Sequence, residues 1–149
     1  MAWIGSTYLN NAIGSGLVSA LGITGSVLTQ YELDARAHVT SIIQYAGYTA
    51  PGPTMDSSAS VANAFLQSLA CGYMLKKAYG VRKGIRMSPD IADTINDTSA
   101  RLNEIYNKRL PVPGLTASSR AGYGGLQVSP TTGDSARPQV FSRSSMKGF

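Results

Sequence analysis

A chain of 149 residues and 15.7 kDa has the size of one compact domain, with 43% apolar residues for a core but only 14% charged ones, against roughly 25% in ordinary soluble domains. One cysteine and one histidine exclude an intrachain disulfide framework and a zinc site built from Cys and His alone, and leave any histidine-dependent enzyme resting on His38. The net charge of +5 and pI of about 9.5 suit nucleic acid or an acidic protein surface as partner.

The charge is unevenly placed. Residues 1–31 carry no charged side chain, and Lys76, Lys77, Arg82, Lys83 and Arg86 succeed one another without an intervening acid. Beyond Pro111, only Asp134 offsets Arg120, Arg137, Arg143 and Lys147. The stretch from Ala12 to Leu28 is mostly apolar but broken by four glycines and several hydroxyls. A spanning helix needs about 20 strongly apolar residues and a signal peptide needs a basic start, so neither a membrane span nor an export signal is expected. Within this lead, Tyr8–Ile13 and Leu17–Leu21 each suit a helical turn. Its lack of charge implies contact with protein, within the chain or between subunits.

Three helices follow. Thr29-Gln-Tyr-Glu32 reads as a capping box, opening a helix over about 30–46 with Leu33, Ala37, Ile42 or Ile43, and Ala46 as its buried face. Gly47 and Pro51-Gly-Pro53 end it. Asp56, Ser57 or Ser58 caps the second and most apolar helix. Its stripes of Val61, Phe65, Leu69 and Tyr73, and of Ala62, Leu66, Ala70 and Met74, are wide enough to need more than one neighbour. Cys71 falls within this pattern as a small buried residue in a reducing compartment. Lys76 and Lys77 are placed in the last turn, where the helix dipole favours cations, and Gly80 stops the helix. Ser88 with Pro89 starts the third helix. Asp90 and Asp93 occupy its first turn, Ile91, Ile95, Leu102, Ile105 and Tyr106 form its buried stripe, and Lys108, Arg109 and Pro111 close it.

The expected fold is all-α: a three-helix, or four-helix, body over residues 1–110 with an uncharged Gly-rich lead, and an extended Pro/Gly/Ser-rich arm over 111–149. The arm has no helical period, yet Leu115, Tyr123, Leu126, Val128, Val140, Phe141, Met146 and Phe149 recur along it, as in a segment that orders against a partner.

Sequence chemistry is sparse. Asp34 lies four residues before His38 and could orient it as a base, but no nucleophile is placed beside them, and an ordinary helix-surface pair is the simpler reading. Asp90, Asp93, Asp97 and Glu104 have the spacing of a solvated face rather than of a metal site. Gly80–Met87 lacks the phosphate-loop pattern and joins two helices. Tyr31, Tyr45, Tyr73, Tyr79 and Tyr106 fall on or beside the expected buried stripes, which leaves the basic run as the better sign of an interaction surface. No catalytic residue, metal or cofactor is expected.

In order, the chain has an uncharged lead, a capped helix with a Pro-Gly turn, an apolar second helix, a third helix closing in Leu110-Pro111, and an arm ending Arg137-Pro-Gln-Val-Phe-Ser-Arg-Ser-Ser-Met-Lys-Gly-Phe149. From about residue 24 onward this resembles the head–tail connector (adaptor, or head-completion) proteins of tailed bacteriophages, from which the glycine-rich lead departs. The resemblance implies a non-enzymatic structural protein of the virion, assembled in the host cytoplasm. On the same resemblance it would form a homo-oligomeric ring, usually of twelve, beneath the portal protein. The ring would link the DNA-filled head to a downstream tail, stopper or nozzle protein, with packaged DNA as a further partner passing through it, and would involve no membrane. On this expectation Val140, Phe141, Met146 and Phe149 anchor the arm on a partner while Arg137, Arg143 and Lys147 pair with acids there. Lys76, Lys77, Arg82, Lys83 and Arg86 then face the DNA channel or the portal. The alternative from the same charges is a small basic nucleic-acid-binding module.

Overall fold

The computed structural model describes residues 3–49, 51 and 61–115. These residues fold into five helices: α1 (Ser6–Ile13), α2 (Ser15–Leu21), α3 (Gly25–Tyr45), α4 (Val61–Val81) and α5 (Pro89–Tyr106). The protein is all-α. The three long helices form the body, and α1 and α2 are the two turns expected within the lead.

The lead is part of the core. Trp3, Ile4, Leu9, Val18, Leu21 and Ile23 are each at most 4% exposed, so the contact expected of this uncharged segment is made within the chain. The backbone at Trp3 is held twice. Its N–H donates to the Glu32 carboxylate at 2.9 Å, and its carbonyl accepts from the Gln67 amide at 2.9 Å. Gly22 ends α2 in the left-handed conformation, which glycine adopts at little steric cost.

That tether revises the start of α3. The helix begins at Gly25 after Thr24, four residues before the expected cap, and Thr24 makes no side-chain cap bond. Thr29 lies inside the helix, where its hydroxyl donates to the Gly25 carbonyl. Glu32 is 3% exposed, turned inward toward Trp3 with Arg36 at 3.7 Å, so the capping box is not formed. The buried face is Glu32, Ala35, Val39, Ile43 and Ala46, not the stripe through Leu33 and Ala37, which are exposed. In sequence the carboxylate at position 32 reads as the closing member of a capping box, but here it replaces water at a backbone donor.

Helix α4 is buried nearly all round, from Leu66 to Tyr79, and packs against both α3 and α5. Its expected caps, Asp56, Ser57 and Ser58, lie outside the described residues. Val61, expected in the stripe, is 73% exposed. The helix runs through Gly80 to Val81, so its last turn holds no basic residue, and Lys76 and Lys77 sit one turn earlier. Helix α5 starts as expected: the Ser88 hydroxyl accepts from the Ile91 N–H and Pro89 follows the cap. Ile95, Thr98, Leu102 and Ile105 are buried, whereas Tyr106 is 46% exposed. Beyond the Asn107 cap, Lys108 adopts φ 59° and turns the chain.

Contacts fix the helix directions. Asp34 meets Lys77 and His38 meets Tyr73, so α3 and α4 run antiparallel. Tyr45 meets Tyr106, which places the last turns of α3 and α5 together. After Pro111 the chain still packs on the body. Val112 is buried and donates its N–H to the Tyr48 hydroxyl, and Leu115 packs against the core.

Candidate functional site

A groove of about 290 Å³ runs between α3, α4 and α5. Its floor is made where α4 and α5 come together at Gly72 and Thr98. Gly72 has no side chain, and the Thr98 side chain fills that notch. Ile42 from α3 and Leu102 from α5 add apolar surface. At one end the His38 imidazole stacks on Tyr73, ring centroids 4.4 Å apart, with Lys76 beside them. At the other end Tyr106 stacks on Tyr45 at 4.5 Å and 8°. Among the described residues, Lys76 and His38 are the cationic or potentially cationic side chains of the lining, and no carboxylate lines it. Burial and the nearby Lys76 charge, in that order, hold the His38 pKa below its usual value.

The Asp34–His38 pair is not assembled as a catalytic dyad. Asp34 accepts hydrogen bonds from the Lys77 ammonium and from the Gln30 amide, and the Lys77 bond lowers its pKa. His38 stacks on an aromatic ring instead.

The basic run does not form one surface. Lys77 is engaged by Asp34 and lies 5.3 Å from the Tyr31 ring centroid, and Lys76 turns to the groove. The Arg82 guanidinium packs over Gly22, where a Cβ would lie 2.6 Å from Nη2, beside the carbonyl end of α2, a position that favours a cation. Lys83 and Arg86 remain exposed in the loop between α4 and α5. A helix angle of about 100° per residue separates Lys76 from Lys77, which scatters charges that are adjacent in sequence.

Asp90, Asp93, Asp97 and Glu104 are exposed on α5. Asp97 pairs with Arg101 at 2.9 Å, and among the described residues no group of acids, His and Cys is placed to hold a metal ion. The arm residues Arg137, Val140, Phe141, Arg143, Met146, Lys147 and Phe149 lie outside the described residues.

A second cleft of about 230 Å³ is lined by Tyr8, Cys71 and Asp90. Burial pushes the Cys71 thiol up to about 11, so it is protonated and unreactive at neutral pH.

Sequence reasoning missed the groove. Spacing puts Tyr106 in a buried stripe and Tyr45 on or beside one, yet they are 46% and 60% exposed. Tyr79 is buried, while Tyr31 and Tyr73 are half-buried. One signal was available: a glycine at position 72 inside an otherwise bulky helix marks a close approach by another element. Among the described residues no helix is long and apolar enough to cross a membrane. Comparisons with protein-family models, with curated proteins and with solved structures found no match to this chain.

Proposed function

We propose that the chain is a structural virion protein, a subunit of a head–tail connector ring of a tailed bacteriophage that joins the portal to the next tail component. The observation that carries this reading is where large apolar side chains stay uncovered. Val61 is 73%, Tyr45 60% and Tyr106 46% exposed at one end of the bundle, and Val81 is 64%, Val27 40% and Met87 37% exposed at the other. Different apolar patches at opposite ends suit heterologous contacts between copies, the kind that close into rings, and aromatic residues are enriched at such interfaces. The engagement of Asp34 by Lys77 removes the one dyad that sequence offered for catalysis. The arm, with anchors Val140, Phe141, Met146 and Phe149, supplies the partner contact, and the ring belongs at the head–tail interface of the virion.

The test is the mass of the purified protein in solution, alone and with a portal ring from the phage that encodes it. A ring in either condition, with residues 137–149 becoming protease-resistant, supports the connector. A monomer that ignores the portal but binds duplex DNA with a steep salt dependence overturns it in favour of the basic module, for which the exposed Lys83 and Arg86 are the available contacts.

A further inference from the structure

We propose that the groove between α3, α4 and α5 is a docking site for a short extended segment of a partner protein that carries an acidic residue next to a large apolar one. The site is read from this chain alone; its far end shares Tyr45 and Tyr106 with the patch assigned above to contacts between copies, so in a connector ring the two occupants compete there.

Charge selects the occupant. Lys76 and His38 stand at one end and, among the described residues, no carboxylate lines the groove, so an anionic group there meets a cation without an opposing acid from these helices. This disfavours the chain's own arm, whose residues 116–149 carry Arg120, Arg137, Arg143 and Lys147 against Asp134. The remaining lining asks for more than an anion. Ile42, Leu102 and Tyr73 offer apolar surface, and the Tyr45–Tyr106 stack extends it into solvent at the far end. A bare phosphate or a nucleic-acid backbone would leave that surface uncovered. The lining on α5 runs from Thr98 to Tyr106, which at 1.5 Å per residue is about 12 Å, the length of roughly four extended residues. Ser99 and Asn103 on this wall are donors and acceptors suited to a peptide backbone. The segment would place its carboxylate at Lys76 and its apolar side chain against Ile42 and Leu102, toward Tyr106.

The experiment titrates the acetylated, amidated tetrapeptide Glu-Phe-Glu-Leu into the full chain and follows the His38 ring protons by NMR, a unique signal because the chain has one histidine. The expected result is a saturable shift, with affinity about five-fold weaker in Lys76→Gln, a loss of the size expected for one exposed ion pair. The Lys76→Glu variant should instead favour Lys-Phe-Lys-Leu. Position 76 is exposed, and circular dichroism verifies that both variants keep the helical body. The proposal is overturned by no saturable shift at millimolar peptide, or by an equal response to Lys-Phe-Lys-Leu in the unaltered protein. It is equally overturned by an unchanged affinity in Lys76→Gln, or by inorganic phosphate or duplex DNA matching the peptide. A response to Glu-Ala-Glu-Ala as strong as to Glu-Phe-Glu-Leu removes the apolar half of the site and overturns it as well.

Discussion

The Thr98 side chain occupies the space a side chain at Gly72 would need: a Cβ at position 72 would lie 1.9 Å from Oγ1 and 2.6 Å from Cβ of Thr98. Helices α4 and α5 therefore meet at a distance set by the absence of one methyl group. Gly72→Ala should force the helices apart and destabilise the body by about 1–3 kcal/mol, the usual range for overpacking, despite alanine's better helix propensity. Thermal denaturation measures this as a lowered Tm. Adding Thr98→Ala should recover only part of the loss, since the Thr98 Cβ remains in the way. Full additivity of the two changes would show that the contact is not what limits the packing.

Glu32 should matter for stability out of proportion to an ordinary helix carboxylate. Glu32→Leu leaves the Trp3 N–H without the acceptor it now has, and an unpaired buried donor costs about 1–3 kcal/mol. Glu32→Gln keeps a carbonyl oxygen in place and should lose much less. Urea unfolding of the two variants separates the cases, and equal losses would mean that the charge rather than the hydrogen bond is what counts.

The Asp34–Lys77 pair predicts a pH dependence of definite sign. The Lys77 hydrogen bond holds the Asp34 carboxyl below the usual carboxylate range. A group with a depressed folded pKa contributes stability that is present above its unfolded value and lost as pH falls through its folded value. The stability difference between the unaltered protein and Asp34→Asn should thus be present at neutral pH and fade in acid, below the usual carboxylate range. The same bond raises the Lys77 pKa above its ordinary 10.5, so the contribution should also be lost at strongly alkaline pH. Both side chains are about one-third exposed (32% and 36%), so added salt should shrink the difference. A difference that grows in acid would contradict the assignment.

Cys71 should be silent toward thiol reagents in the native protein. It is 5% exposed and its thiol is pushed up to about 11, so at neutral pH almost none is thiolate. Modification by an aromatic disulfide reagent should proceed at the rate at which the body opens and accelerate sharply in denaturant. Fast modification in buffer would show that the α1–α4–α5 cleft admits the reagent.

What the sequence revealed followed the range of the interactions. The start of α5 was legible to the residue because Ser88, Pro89 and Asp90 act on backbone groups within one turn. The breadth of buried surface on α4 was legible because apolar residues recur on every side. The capping box was misread because the partner of Glu32 is 29 residues away, and local spacing carries no trace of Trp3. The expected buried face of α3 holds at Ile43 and Ala46 but fails at Leu33 and Ala37 for the same reason: once Glu32 points inward, Ala35 and Val39 follow it and Leu33 turns out. For the candidate groove, Lys76 was legible as a charge, but its separation from Lys77 and its convergence with His38, Thr98 and Tyr106 depend on how three helices pack. Spacing located the tyrosines on the helices without revealing which would be left uncovered.

The tether at Trp3 also sets an order of events during synthesis. Its carbonyl bonds Gln67, 64 residues along the chain, and Val112 closes an equally distant contact back to Tyr48. Neither can form until the later partner has left the ribosome, and contacts of such separation are slow to close once it has. Throughout that interval the apolar side chains of the lead lack the later helices of the core they join, and no charged side chain among residues 1–31 keeps them apart from other chains. The apolar side chains of this lead are made first and covered last, which makes nascent residues 3–23 the place where a holding chaperone would act.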